Sequence, residues 1–336
     1  MTYDSKTSVP RIACVIGMTL ASAAALGQSS VELYGNIDMG VSKSSDGTSI
    51  NPGVIKRGVP TLQQGASSTL GFRGREDLGG GMYARFDLGH RFLPDTGAPV
   101  SASSFFASRS IVALGDSKLG EVYLGRDIVP AWLLAAKVDR TYWQYVSQLA
   151  LPYSFANFTL SAPSDSSAVR RNSTTGYRSP VINGFSAQMS FAQGNADRPR
   201  TRGFNVIYDK DGVYAGVGYD GRDSGNRLWI ATLGYQLAPG VDAVISTAQA
   251  RGGINASYEG KSYAASLGWT VGVHRQYVQL GQLKTNAASS NKSTKFGLGE
   301  EYFLSKRTSL YVTVGTAKTA DKTRSNAVDF GVNHRF

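Results

Sequence analysis

Arg73 and Arg75 stand two residues apart in "LGFRGRED", and Arg85, Asp87 and Arg91 follow at odd-numbered positions in "MYARFDLGHRF". In an extended segment, positions two apart share a face. These guanidiniums therefore line one side, while Leu70, Phe72, Met82, Ala84, Phe86 and Leu88 line the other. A wall of cations that never lose their protons concentrates anions and repels cations, a role that needs no bond making. Bond-making chemistry finds little support elsewhere. His90, His274 and His334 lack metal-ligand spacing and have no cysteine partners. "GVGYDG", residues 216–221, spells the dinucleotide fingerprint, but "RDSGN" follows as a turn where that motif demands a helix. Glu300 and Glu301 are adjacent in an alternating segment, so they point to opposite faces and cannot act together as acid and base. Asn172-Ser173-Thr174 is a formal glycosylation sequon and is read as part of a water-facing strand. No nucleophile, base and orienting acid converge, so the chain reads as no enzyme, with no cofactor and no metal.

The 336 residues carry 35 Lys and Arg against 24 Asp and Glu, a net charge of +11. At the start, Arg11 precedes an apolar run from Ile12 to Leu20, and small residues follow up to Gly27. This is the pattern of a secretory signal peptide, which places residues 1–27 in a leader and starts the mature chain at Gln28. The leader takes Lys6, Arg11 and Asp4 with it, leaving +10, so the positive excess belongs to the body. The only cysteine, Cys14, falls inside the leader, and the mature chain must hold together without disulfides. Its cations occur singly and not in runs, which argues against a nucleic-acid-binding arm.

Alternation of period two runs through nearly the whole body. "SVELYGNIDMGVSKS" is a strand of about a dozen residues, longer than the five or six usual in soluble sheets. Hairpins follow with turns at Asp77 to Gly81, Asn183-Gly184, Asp211-Gly212 and Pro239-Gly240, and further strands run on to the last residue. About sixteen strands result, joined alternately by tight turns and longer polar loops, which is the layout of an outer-membrane barrel. Lipid offers no partner to an unpaired amide, so a sheet immersed in it must close on itself. A ring of sixteen strands is too wide for side chains to fill, and its interior stays aqueous. Tyr34, Tyr83, Tyr123, Phe185, Tyr235 and Tyr302, near strand ends, suit aromatic girdles at the membrane interfaces.

One connection breaks the rhythm. Residues 129–168 show no clean alternation and carry Trp132, Tyr142, Trp143, Tyr145, Tyr153 and Phe155. So long and aromatic a loop folds against something, and in an open barrel the available space is the lumen. The expected fold is therefore all-β: a transmembrane antiparallel β-barrel of about sixteen strands, residues 28–336, with a long third loop folded into the lumen.

The segments "QSSVELYGNIDMGV", "LGFRGREDLGGGMYARFDL", "GEVYLGRD", "RRNSTTGYRSPVINGF" and the closing "HRF", in that order, resemble the general porins of Gram-negative bacteria, of the β-proteobacterial type. The resemblance implies sixteen-stranded trimers whose third loop forms a constriction, with basic residues facing acidic ones. Carried over by position, Arg73 matches the basic residue of the second strand, Arg126 the arginine of "LGR", and Arg171 the arginine before "NS". Asp139 is assigned as the acidic loop residue. Many members have an arginine before "LGF" where this chain has Thr69, and Arg75 is read as compensating. By parity Arg126 falls on the face of Val122 and Leu124, and a bulge or strand end near Ile128 is needed to turn it. The terminal aromatic, Phe336, resembles the signal read by the outer-membrane assembly machinery. In "NAVDFGVNHRF", Val328, Phe330, Val332, His334 and Phe336 then face lipid, while Asp329, Asn333 and Arg335 face water.

The function this implies is a passive diffusion channel in the cell outer membrane for small hydrophilic solutes and inorganic anions. Arg73, Arg75, Arg85, Arg126 and Arg171 with Asp139 line the anion path. Expected partners are outer-membrane lipid, two further copies in a homotrimer and the assembly machinery, with no nucleic acid. Two alternatives remain: a substrate-specific channel for an anionic metabolite, and an adhesin or receptor whose pore is incidental.

Overall fold

The computed structural model describes residues 30–45, 57–150, 169–194, 199–223, 225–252, 258–286, 288 and 291–336. The expected leader, residues 1–27, and the 151–168 part of the long loop lie outside the described residues.

The strands are β1 (Ser30–Ser44), β2 (Thr61–Gln63), β3 (Ser68–Gly79), β4 (Met82–Phe92), β5 (Arg109–Asp116) and β6 (Gly120–Ile128). A short helix, α1 (Trp132–Val138), follows. Then come β7 (Arg170–Arg178), β8 (Phe185–Ala192), β9 (Thr201–Lys210), β10 (Val213–Arg222), β11 (Arg227–Ala238) and β12 (Val241–Gly252). β13 (Tyr258–Val271), β14 (His274–Thr285), β15 (Lys292–Phe303), β16 (Thr308–Thr319) and β17 (Ser325–Arg335) complete the sheet.

From β3 to β17 consecutive strands pair antiparallel, and β1 closes the ring on β17, from Asn36 opposite Arg335 to Ser44 opposite Ala327. On its other side β1 pairs first with β3 and then with β2. These two pieces are one wall strand, interrupted at Gln64–Ser67, so seventeen strands fill sixteen places. No edge is left open, as a sheet in hydrocarbon requires. The connections are sorted: those after β3, β5, β7, β9, β11, β13 and β15 span two to six residues and share one end, while the other end carries spans of up to forty-one. At Asn183-Gly184 and Asp211-Gly212 both turn residues have positive φ, the left-handed geometry that two-residue hairpins need.

The two faces of the wall invert the soluble-protein order. Val112, Leu124, Leu233, Ile245, Leu280, Leu298, Val312 and Phe330 are exposed on the outside. Asp38, Asn205, Thr232, Gln279, Glu301, Thr313, Asp329 and Asn333 are buried on the inside. That arrangement is stable only where the outer solvent is hydrocarbon and the inner one is water.

The aromatic girdle needs a correction. Phe185, Tyr235 and Tyr302 do lie exposed on the outer face, but Tyr34, Tyr83 and Tyr123 point inward. Tyr34 donates to Asp87 at 2.5 Å, Tyr83 donates to Glu121 at 3.2 Å, and Tyr123 lies buried beneath Arg178. Parity decides: these three share a face with Glu32, Arg85 and Glu121, and residue type does not override it.

Candidate pore constriction

Residues 129–150 lie along the inner face of β9 to β17. Asn205 donates to the Pro130 carbonyl at 2.7 Å and Thr232 to the Leu134 carbonyl at 3.1 Å. Gln279 accepts from the Arg140 amide at 2.7 Å and donates to the Ser147 carbonyl at 2.9 Å. The Val146 amide donates to Asp329 at 3.0 Å, and the Tyr145 amide to the Gly65 carbonyl at 2.9 Å. One segment can reach so many strands around a closed ring only from within. Leu134 of α1 packs over Gly216 and Gly218, where a Cβ would collide with it. The "GVGYDG" stretch is thus part of β10, a strand that makes room for a helix.

Sequence position alone assigned Asp139 to the acidic side of the constriction. The structure places it inside the loop's own fold, fully buried. Its carboxylate accepts from the Thr141 amide and hydroxyl, the Leu149 and Ala150 amides and the Gln279 side chain, at 2.6–3.3 Å. It ties the loop together. Tyr142, Trp143, Tyr145 and Ala150 all have positive φ between 50° and 64°, a cost of about 1–3 kcal/mol each that such ties sustain. Burial beside Asp38 and Glu301 pushes the Tyr145 phenol well up, keeping it neutral.

Across the lumen, the inner face of β1 and β3–β7 carries a continuous ladder of arginines and carboxylates. Arg73 clasps Glu32 with two bonds of 2.8 and 2.7 Å, and both groups are exposed. Asp87 accepts from Tyr34 and, at 2.9 Å, from Arg109, which also bonds Asp127 at 2.8 Å. Arg178 joins Asp127 to Glu121 and lies 4.0 Å above the Tyr123 ring. Glu121 accepts from Arg85 at 2.7 and 2.5 Å. Arg75 stacks on Tyr83 at 3.5 Å and is exposed, with no carboxylate partner among the described residues. In this ladder five arginines (73, 75, 85, 109, 178) face four carboxylates (32, 87, 121, 127), one charge in excess.

A second group sits toward the loop end. Arg91 donates to the Ser67 hydroxyl, Arg126 to the Ala107 carbonyl at 3.1 Å and Asn172 at 2.5 Å, and Arg170 to the Ser108 carbonyl at 2.8 Å. Arg91 and Arg170 thus turn to neutral oxygens among the described residues. Arg171 instead spans to Asp220 at 3.0 Å, both buried. Arg126 is buried where Leu124 is exposed, and Gly125 before it has a φ of 129°. The register shift lies opposite it, where Gly125 faces Thr174 but Asp127 faces Arg171, with Ser173 at a φ of 53°. Beside the loop, a cavity of about 300 Å³ is lined by Lys137, Arg140 and Arg275. Asp209, Asp242 and Glu301 pair with those cations, so it adds nothing to the excess.

Sequence reasoning singled out Arg73, Arg75, Arg85, Arg126 and Arg171 but missed Arg109, Arg170 and Arg178. Arg91 was legible in the same alternation as Arg85.

The sequence model of the Gram-negative porins matches residues 13–322. The chain belongs to that family. Among known porins it is similar to outer membrane porin protein 32 of Delftia acidovorans, 31% identical over 335 residues that cover 91% of this chain and 89% of that one. It is also similar to the major outer membrane protein P.IB of Neisseria lactamica, 27% identical over 96% of this chain and 99% of the relative. Of solved structures, the anion-selective porin from Comamonas acidovorans superposes with a TM-score of 0.77 at 26% identity, over 92% of this chain and all of that one. The barrel of Vibrio cholerae OmpT, at 13% identity and a TM-score of 0.65 over 92% of this chain, shares the fold alone. This porin resides in the outer membrane.

Proposed function

We propose that this porin is a passive channel for small hydrophilic solutes with a preference for inorganic and organic anions, and that it is not an enzyme. The observation that carries the preference is the arginine excess on one wall: the unpaired charge in the ladder, and Arg91 and Arg170 turned to neutral acceptors. The loop on the opposite wall, 129–150, holds its carboxylate Asp139 out of the path. An ion squeezed between the two walls meets a net positive field, which is focused where water is scarce and fades with added salt. Arg73 and Arg75 act in this reading as the exposed lining, Arg85 as a half-buried part of it, and Arg126 and Arg171 as buried contributors. The similar porin from Comamonas acidovorans is described as anion-selective, which supports the reading.

The channel is proposed to work as a homotrimer, seated in lipid through its apolar outer face; one structure of V. cholerae OmpT is a trimer form. Phe336, whose amide and carbonyl both pair with Gly35 at 3.1 Å, is proposed as the residue the assembly machinery reads. The test is conductance of the purified protein in a planar bilayer under a salt gradient. Discrete ohmic steps with a zero-current potential of anion-preferring sign are expected. A silent bilayer, or cation preference, refutes the proposal.

A further inference from the structure

On the tight-turn side of the inner loop, the loop and the wall of β12–β14 enclose a cavity of about 300 Å³. From the wall come Asp242, Thr270 and Arg275, each second from the tight turn that borders its strand. From the loop come Lys137, Arg140 and Tyr142. The cavity thus lies on the side where a solute leaves the constriction after entering at the loop end. Arg140 belongs to its frame. That guanidinium bonds the Ser266 hydroxyl at 2.9 Å, the Asp242 carboxylate at 2.7 Å and the Asp242 carbonyl at 2.9 Å, and it lies over Gly268, where a Cβ would collide with it.

The reachable charges here are of both signs. Lys137, Asp242 and Arg275 are each 35–43% exposed. Lys137 lies 4.3 Å over the Tyr214 ring, and its nearest carboxylate among the described residues, Asp209, stands at 3.9 Å, beyond hydrogen-bond reach. Its ammonium protons are therefore uncommitted. Asp242 gives one oxygen to Arg140, and the other carries no bond among the described residues. Arg275 pairs with Glu301 at 2.5 Å. With their carboxylates the three cations sum to zero, so the surroundings are neutral but polarised. A lone anion drawn to Lys137 or Arg275 meets Asp242, and a lone cation drawn to Asp242 meets Lys137 and Arg275. A molecule that carries both charges is held at both ends.

We propose that this cavity is a weak binding site for zwitterionic α-amino acids, with the ligand carboxylate toward Lys137 and Arg275 and its ammonium toward the free oxygen of Asp242. Size agrees with charge. Taken as a sphere, the cavity is roughly 8 Å across. An α-amino acid keeps its two charges about 3 Å apart, and a charge-assisted bond of about 2.8 Å at each end brings the bridged span to about 8–9 Å. The Tyr142 ring, exposed at the rim and held at a φ of 50°, is placed to cover the ligand side chain. The inference rests on the reading of the chain as an open channel and not on its anion preference.

The full-length protein, folded in nonionic detergent, is titrated with L-alanine, with N-acetyl-L-alanine, which keeps only the carboxylate, and with L-alanine methyl ester, which keeps only the ammonium. Binding is read by saturation-transfer NMR on the ligand methyl group. L-alanine is expected to saturate in the millimolar range, and each blocked analogue to bind at least about tenfold more weakly. Lys137→Gln is expected to weaken L-alanine about tenfold and leave the methyl ester unchanged, and Asp242→Asn to weaken L-alanine about tenfold and leave the N-acetyl compound no weaker. Disturbed loop packing would not sort the analogues by charge in this way. No saturation by L-alanine, N-acetyl-L-alanine binding as tightly as L-alanine, a loss below about threefold in either variant, or a variant that weakens both analogues alike would each overturn the proposal. The heat-dependent gel shift shows that each variant has folded. Conductance of the wild type separates the two readings: anion-preferring steps without saturation refute this site alone, whereas a silent bilayer refutes the channel.

Discussion

Arg75→Gln isolates the charge that the ladder leaves uncompensated. Arg75 is exposed on β3, stacked on Tyr83, and no described carboxylate pairs with it. Its neighbour Arg73 is clasped by Glu32 through two bonds. Removing Arg75 therefore deletes one unit of net charge, whereas removing Arg73 and Glu32 together deletes none. An ion passing at roughly 6 Å feels about 0.7 kcal/mol from one charge in water. At 0.1 M salt, screening over ~10 Å leaves about 0.4 kcal/mol. That is about twofold for each ion and, because anion and cation shift in opposite directions, about fourfold in the permeability ratio. At 1 M, where the screening length is ~3 Å, about 0.1 kcal/mol survives and the ratio changes by only about 1.4-fold. The assay is the zero-current potential across a planar bilayer with a KCl gradient, run at both concentrations for R75Q and for R73Q/E32Q. The expected result is a large, salt-sensitive loss of anion preference in R75Q and almost none in the double variant. The reasoning fails if R75Q leaves the 0.1 M ratio unchanged, or if R73Q/E32Q shifts it as far.

Asp139→Ala removes the acceptor of five hydrogen bonds in the loop, each worth about 1.5–3 kcal/mol to a charged acceptor. Open-channel current noise should rise and protease should cut within 129–168; quiet currents and an intact loop would count against the staple. Gly218→Val drives side-chain carbons into Leu134 and Ala131, an overpacking cost of about 1–3 kcal/mol, and should displace α1 from the wall. Single-channel conductance that matches the wild type would show that the helix does not bear on the path. Leu280→Arg puts a cation in the middle of the lipid-facing band, at about 2–4 kcal/mol. The folded fraction after reconstitution into vesicles, read by the heat-dependent gel shift, should fall.

The wall was legible because parity is a local property. Alternation in β1, β3, β4 and β17 needs only a dozen adjacent residues to show which side is wet, and the two-residue turns announce themselves by Asn-Gly and Asp-Gly. What parity does not carry is what each side meets. Arg109 begins a strand whose inward residues, Ile111 and Ala113, are apolar and pack on Tyr123 beneath the ladder, so the polar signature is missing there. Arg178 closes β7 just before the Pro180 turn, where alternation ends. Asp139 looked like a free carboxylate because its partners at Thr141, Leu149 and Ala150 are backbone or short polar groups that no charge pattern marks. The loop's seat was hidden for a different reason: Ser147 meets Tyr277 at 2.7 Å across 130 residues of chain. The girdle reading went astray at Tyr34, Tyr83 and Tyr123 through trusting aromatic identity over position.

The ring is fastened where its first strand meets its last, β1 against β17, with Gly35 and Phe336 locked amide to carbonyl. No intermediate length of this polypeptide can be a tube. A nascent chain that stops short of β17 would present two raw margins to its surroundings, so closure has to wait until that strand has been exported, and a stop codon just before it is as ruinous as one far upstream.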